Sequence, residues 1–123
     1  MGKFIIKQNS LGYTFNLVAP NGEVIGTSGQ VIKALSDCKK SIESVVKNAQ
    51  AANVEDQTVA GFETKKCPKF EIYVDRQGEY RFRLKATNGE PILASEGYTA
   101  KASCKNGIES VCKNVVDATV VES

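Results

Sequence analysis

The sequence predicts an α+β fold: two tandem β-β-β-α-β repeats merged into one pseudo-twofold antiparallel sheet, with two helices on one face. Three observations predict it. The stretch Lys3 to Asn48 recurs as Lys69 to Asn114, displaced by 66 or 67 positions. Within each copy the apolar period changes from two to helical. After each helix comes a short β-branched run. A repeat this long is one supersecondary unit, and two copies usually complete each other's core. The whole chain, 1–123, therefore reads as a single domain with repeat 1 over 3–62 and repeat 2 over 69–122.

The first copy places strands near Lys3–Gln8, Tyr13–Ala19 and Glu23–Ser28. A helix follows, with Cys38, Ile42, Val45, Val46 and Ala49 on its apolar side. Gln57-Thr-Val-Ala-Gly-Phe62 reads as the closing strand, and Lys65 to Pro68 as the connection between copies. The second copy is more regular. Phe70-Glu-Ile-Tyr-Val74 alternates, with Phe70, Ile72 and Val74 on one face and Glu71 and Tyr73 on the other. Asp75-Arg-Gln-Gly78 is a turn, and Tyr80, Phe82 and Leu84 point inward along the next strand. Asn88-Gly89, like Asn21-Gly22, is a strong hairpin signal. The third strand, Pro91 to Ser95, begins at an edge or a bulge, since proline donates no ladder hydrogen bond.

Thr99 is the expected N-cap of the second helix, whose stripe is Cys104, Ile108, Val111, Cys112 and Val115. Gly107 in mid-helix points to close approach of a neighbour; Ser41 stands at its place in the first copy. Glu43 with Lys47, and Glu109 with Lys113, are i,i+4 pairs in the favourable order. Asn48 and Asn114 sit where each helix should stop, in keeping with a left-handed cap. Ala118-Thr-Val-Val-Glu122 reads as the closing strand of the second copy.

Composition sets limits on function. A chain of 123 residues with 41% hydrophobic and 24% charged residues is ordinary for a globular domain. A net charge of +2, from 16 basic and 14 acidic residues, implies no partner. No run approaches a transmembrane helix, and the start has no signal-peptide core, so a cytoplasmic location is expected. Ile6 stands where a myristoylation signal calls for Ser or Thr. With no histidine and no Cys-x-x-Cys, the usual zinc spacings are absent, and no metal or other cofactor is expected. Cys104 and Cys112, eight residues apart on a helix, are separated by about 12 Å along its axis, too far for a disulfide. Cys38 and Cys104, at equivalent positions on apolar helix faces, read as core. No phosphate loop or nucleophile motif appears, so an enzyme is not expected.

The motifs Lys69-Phe-Glu-Ile-Tyr, Gly78-Glu-Tyr-Arg-Phe-Arg-Leu-Lys-Ala, Asn88-Gly-Glu-Pro-Ile-Leu-Ala-Ser-Glu-Gly-Tyr and Ala102-Ser-Cys-Lys-Asn-Gly-Ile-Glu-Ser-Val resemble the YegP-like family of uncharacterised proteins. The resemblance covers almost the whole chain, once per repeat. It implies that two β-β-β-α-β units form a single sheet and exchange their C-terminal strands. It implies no activity. The first copy departs from the pattern at Gln30-Val-Ile-Lys-Ala-Leu and lacks the arginines at Tyr13-Thr-Phe-Asn-Leu-Val.

One surface is a candidate for binding. Arg81, Arg83 and Lys85 alternate along a strand, so they project from the face opposite the helices, beside Tyr73. Basic side chains with an aromatic on an open sheet outline a single-stranded nucleic-acid platform. Glu71 and Asp75 share that face, however, and cross-strand charge pairing is the ordinary reading. The corresponding face of the first copy, read as Thr14, Asn16 and Val18, carries no charge. Asn-Gly-Glu, present twice, is explained by turn geometry. The expectation is a small non-enzymatic binding or protein-interaction module. It would be a monomer, pseudo-dimeric within one chain, meeting an unidentified protein, or self-associating, through the sheet face or an edge. Weak, salt-sensitive single-stranded nucleic-acid binding is the alternative.

Overall fold

The computed structural model describes residues 2–122. The elements run β1 (Lys3–Asn9), β2 (Gly12–Val18), β3 (Val24–Thr27), α1 (Leu35–Ala49), β4 (Asn53–Asp56), β5 (Lys69–Val74), β6 (Tyr80–Lys85), β7 (Pro91–Ala94), α2 (Lys101–Asn114) and β8 (Thr119–Glu122). All eight strands lie in one sheet, in the order β4-β5-β6-β7-β3-β2-β1-β8. Each copy contributes a three-stranded meander and hands its last strand to the other: β4 pairs with β5, and β8 with β1. The strand exchange is therefore present. The six inner strands are antiparallel, whereas the two exchanged strands join in parallel, so the sheet is mixed.

The two meanders meet at a single pairing, Thr27 with Ala94. These residues are 67 positions apart, so each is the other's repeat equivalent, and the pseudo-twofold axis passes through this seam. One residue back, Gly26 lies diagonally across from its own equivalent, Leu93. A Cβ on Gly26 would come within 2.9 Å of the Leu93 Cγ, so leucine on one side fills the space that two leucines would contest. The core is otherwise doubled. Phe4 meets Phe15 edge-on at 5.8 Å, and Phe70 meets Phe82 edge-on at 5.8 Å. The helices close one face with Cys38, Ile42, Val45 and Ala49, and with Cys104, Ile108, Val111 and Val115. Each large side chain so buried contributes about 1.5–3 kcal/mol relative to exposure.

Local expectations fare unevenly. A register shift at Leu84/Lys85 opposite Pro91 provides the bulge that proline requires. Gly107 lets α2 approach Tyr98 and Phe82, where a Cβ would stand 2.5 Å from the tyrosine hydroxyl. The closing strand of the first copy is Asn53–Asp56, not Gln57–Phe62. The Asp56 carboxylate accepts the Thr58 amide, and the Phe62 amide bonds back to Val59, which turns the later segment. The N-cap of α2 lies one residue after the expected one: Ala100 takes that place, with no side-chain hydrogen bond, so Thr99 does not serve. Asn48 and Asn114 are not left-handed caps. Both are buried inside the last turn and donate back to Ser44 and Ser110, and the C-caps Gln50 and Val115 are right-handed. The Glu43–Lys47 and Glu109–Lys113 spacings form no ion pair among the described residues. No described helix is long and apolar enough to cross a membrane.

Candidate interaction surface on the open sheet face

Strand β6 places Arg81, Arg83 and Lys85 on the face away from the helices, and β5 brings Tyr73 beside them. The cations are not free. Arg81 Nε lies 2.6 Å from Asp75 Oδ2, and its guanidinium also donates to the Ser95 carbonyl at 3.3 Å. Arg83 Nε lies 2.6 Å from Glu71 Oε1, and its guanidinium carbon stands 4.3 Å from the centre of the Tyr73 ring. Lys85 reaches the other Glu71 oxygen at 3.3 Å. Behind them Lys69 bridges Glu55 at 2.8 Å and Glu71 at 3.2 Å. Four cations thus face three carboxylates, leaving this half of the face at +1.

Glu55 comes from the exchanged strand and is only 1% exposed. Its carboxylate also accepts the Lys65 amide at 2.7 Å and the Gln57 side-chain amide at 2.6 Å. Asn53 donates to the Lys66 carbonyl at 3.0 Å. The connection between repeats is thereby fastened against this half of the sheet. Burial pushes the Glu55 carboxyl up, but the hydrogen bonds from Gln57, Lys69 and Lys65 more than reverse that and hold it at about 2. Burial likewise raises Glu71, and Arg83 and Lys69 override it, so its carboxyl lies below the usual range. Hydrogen bonding to Glu55 raises Lys69 despite its desolvation.

The other half is built from the same positions with different chemistry. Strand β1 alternates, burying Phe4 and Ile6 and turning Lys3, Ile5 and Lys7 to the open face. Position for position, Lys3 stands for Lys69, Ile5 for Glu71, Lys7 for Tyr73 and Val121 for Glu55. Both carboxylates that surround Lys69 are aliphatic around Lys3. Lys3 and Lys7 are exposed and make no ion pair among the described residues; Thr14 and Asn16 beside them are neutral. Among the described residues this half carries +2 and no carboxylate, so the expectation of an uncharged first-copy face is corrected. That expectation rested on β2 alone. The alternation of Lys3-Phe-Ile-Ile-Lys7 was the signal for the charges on β1.

The two outer strands differ in the same sense. In β4, Asp56 is held by Lys101 at 2.9 Å, Glu55 is buried, and the connection lies against the strand. All four residues of β8 are exposed, Val120 to 47% and Val121 to 42%. The Thr119 amide donates inward to Gly2. Backbone groups alternate along a strand, so those of Val120 and Glu122 point outward, where no described strand follows.

The Asn-Gly-Glu hairpins each face the helix of the other repeat across shallow cavities of about 270 and 320 Å³. Turn geometry accounts for them: Asn21 and Asn88 accept the amides of Glu23 and Glu90, each at 3.0 Å. Among the described residues no cluster of His, Cys, Asp or Glu is suited to a metal ion.

The chain resembles several proteins of unassigned function. It is 34% identical to the UPF0339 protein PA0329 of Pseudomonas aeruginosa over 94% of this chain and 92% of that one. A UPF0339 protein of Treponema denticola is 61% identical over 54 residues, which are 44% of this chain but 93% of that protein, so it is about one repeat long. The UPF0339 protein in the ptx operon 5' region of Stutzerimonas stutzeri is 67% identical over 48 residues, 39% of this chain and 43% of that protein. The solution NMR structure of the protein of unknown function yegP from E. coli superposes with a TM-score of 0.78 at 28% identity, covering 99% of this chain and 92% of that one. The family described as "Domain of unknown function (DUF1508)" matches twice, at residues 9–56 and 75–122, and the chain belongs to that family in its tandem-repeat form.

Proposed function

We propose that this chain is a cytoplasmic, monomeric, non-enzymatic interaction module that docks an extended segment of a protein partner along β8. The observation that carries this reading is the bare outer side of β8, with outward backbone groups at Val120 and Glu122 and exposed valines on both faces. A strand added there gains main-chain hydrogen bonds and side-chain contacts together. The absence of histidine and of any recognisable nucleophile motif supports the non-enzymatic part. The nucleic-acid alternative gains little from Arg81, Arg83 and Lys85, because Arg81 is held by Asp75 and both Arg83 and Lys85 are held by Glu71.

Amide hydrogen exchange tests the reading. A saturating strand-forming peptide should slow exchange at Val120 and Glu122 and leave the outer amides of β4 unchanged. Val120→Pro removes an outward donor without touching the β1–β8 ladder, since proline is tolerated on an edge. It should abolish the protection while keeping the melting temperature within a few degrees. Unchanged exchange at both residues would refute docking on β8.

A further inference from the structure

Resting on the β8 reading, we infer that the docked segment is acidic, with carboxylates at positions i and i+4 and a β-branched apolar residue at i+2. The duplicated sheet itself supplies the comparison. Lys69 is neutralised by Glu71 on its own strand and by Glu55 on the neighbouring exchanged strand. At the equivalent place, Lys3 has Ile5 and Val121 instead, and among the described residues no carboxylate answers its charge. A strand laid outside β8 is the next surface that can answer it.

The spacing follows from strand geometry. Lys3 lies directly across from Thr119, and Ile5 from Val121. Side chains on one face recur every second residue, so Lys3 and Lys7 stand about 13 Å apart along the strand direction. Carboxylates four residues apart on the docked strand match that span. The residue between them falls over Val121 and Ile5, where a β-branched side chain packs. The pattern reads the same in both directions, so it holds whether the partner runs parallel or antiparallel. Among the described residues no carboxylate on this half of the face opposes it. At the other edge the same strand would meet Glu55 and Asp56. Exposed ion pairs are individually weak, so charge sets selectivity and salt sensitivity rather than most of the affinity.

Three labelled heptapeptides test this: Thr-Glu-Thr-Val-Thr-Glu-Thr, the same peptide with both Glu replaced by Gln, and the same with both replaced by Lys. Each is titrated against the full chain by fluorescence anisotropy, and amide exchange locates it. The acidic peptide should bind about 3- to 30-fold more tightly than the glutamine one, and the lysine one most weakly. The acidic advantage should shrink in 0.5 M salt. It should also vanish in the Lys3→Gln/Lys7→Gln double variant, whose exposed substitutions leave the circular dichroism and melting temperature unchanged, with the glutamine peptide binding as before. Equal binding of all three peptides at β8 would uphold the edge reading and overturn the acidic preference. An acidic advantage that survives in the double variant would also overturn it, placing the charge elsewhere on the sheet. If none of the three protects Val120 and Glu122, the edge reading falls and the preference falls with it.

Discussion

Lys3 and Lys69 occupy the same position in two copies of one unit, yet one is exposed with no ion pair among the described residues while the other is buried between two carboxylates. Their inner neighbours agree: Phe4 and Phe70, Ile6 and Ile72, Phe15 and Phe82 make equivalent core contacts. Their outer neighbours, Ile5 against Glu71 and Val121 against Glu55, share nothing. The copies have kept what holds a sheet to a helix and diverged on the face that the helices leave open. One half of the open face sets four cations against three carboxylates, while the other sets Lys3 and Lys7 against none among the described residues.

The seam offers the strongest way to break this comparison. Gly26→Leu, which makes the first copy like the second, should cost about 3 kcal/mol in urea unfolding by overpacking against Leu93. Leu93→Gly should cost about 4 kcal/mol by emptying a site now 1% exposed. Combined, the two exchange the large and small partners across the twofold, and at least half of the summed loss should return. Full additivity would show that the seam does not act as a size-matched pair.

Glu55 sharpens the contrast on the outer face. Glu55→Ala should cost about 3 kcal/mol, the low end for stripping one partner from a buried pair, since Lys69 keeps Glu71. Val121→Ala, at the equivalent exposed position, should stay within about 0.5 kcal/mol. The pH dependence has a definite sign. The folded Glu55 carboxyl titrates at about 2, against an ordinary value of 4.5. Its contribution is therefore complete above pH 4.5 and is lost as pH falls toward 2, where the unfolded chain takes up the proton first. Thermal melts of Glu55→Gln should lose that part of the acid-induced decline; an unchanged acid limb would assign it to other carboxylates.

A smaller difference lies on the helices. Gly107→Ala gains up to about 1 kcal/mol of helix propensity but drives a methyl into Tyr98 and Phe82, for a net loss of about 1 kcal/mol. Ser41→Ala should be close to neutral. Melting both variants checks whether α2 is held closer to its sheet than α1.

Much of this architecture was legible because its signals are local. Alternation in Phe70–Val74 and Tyr80–Lys85, the Asn-Gly turns and the two helical stripes each act within a few residues. The last strand of the first copy was not, because Gln57-Thr-Val-Ala-Gly-Phe62 has strand-like composition but follows an aspartate that turns the chain. The repeat itself held the answer: a displacement of 66 carries Thr119–Glu122 onto Asn53–Asp56. The parallel sense of the exchanged strands depends on which strand each finally meets, and no local pattern encodes that. On the open face, Glu71 opposite Arg83 follows from hairpin register, whereas Glu55 arrives from a strand 14 residues before Lys69 and could be placed only by the fold. The charges of Lys3 and Lys7 follow from the alternation of β1 alone.

The parallel pairing of β1 with β8 has a mechanical consequence. The chain enters the sheet at Lys3 and leaves it at Glu122, on adjacent strands that run the same way, so the entry and exit points lie at opposite ends of one ladder. A force that draws these two points apart does not peel that ladder open from one end. It loads the β1–β8 hydrogen bonds together in shear, so a chain tethered through both ends would resist extension at its outermost seam before any inner strand is stretched.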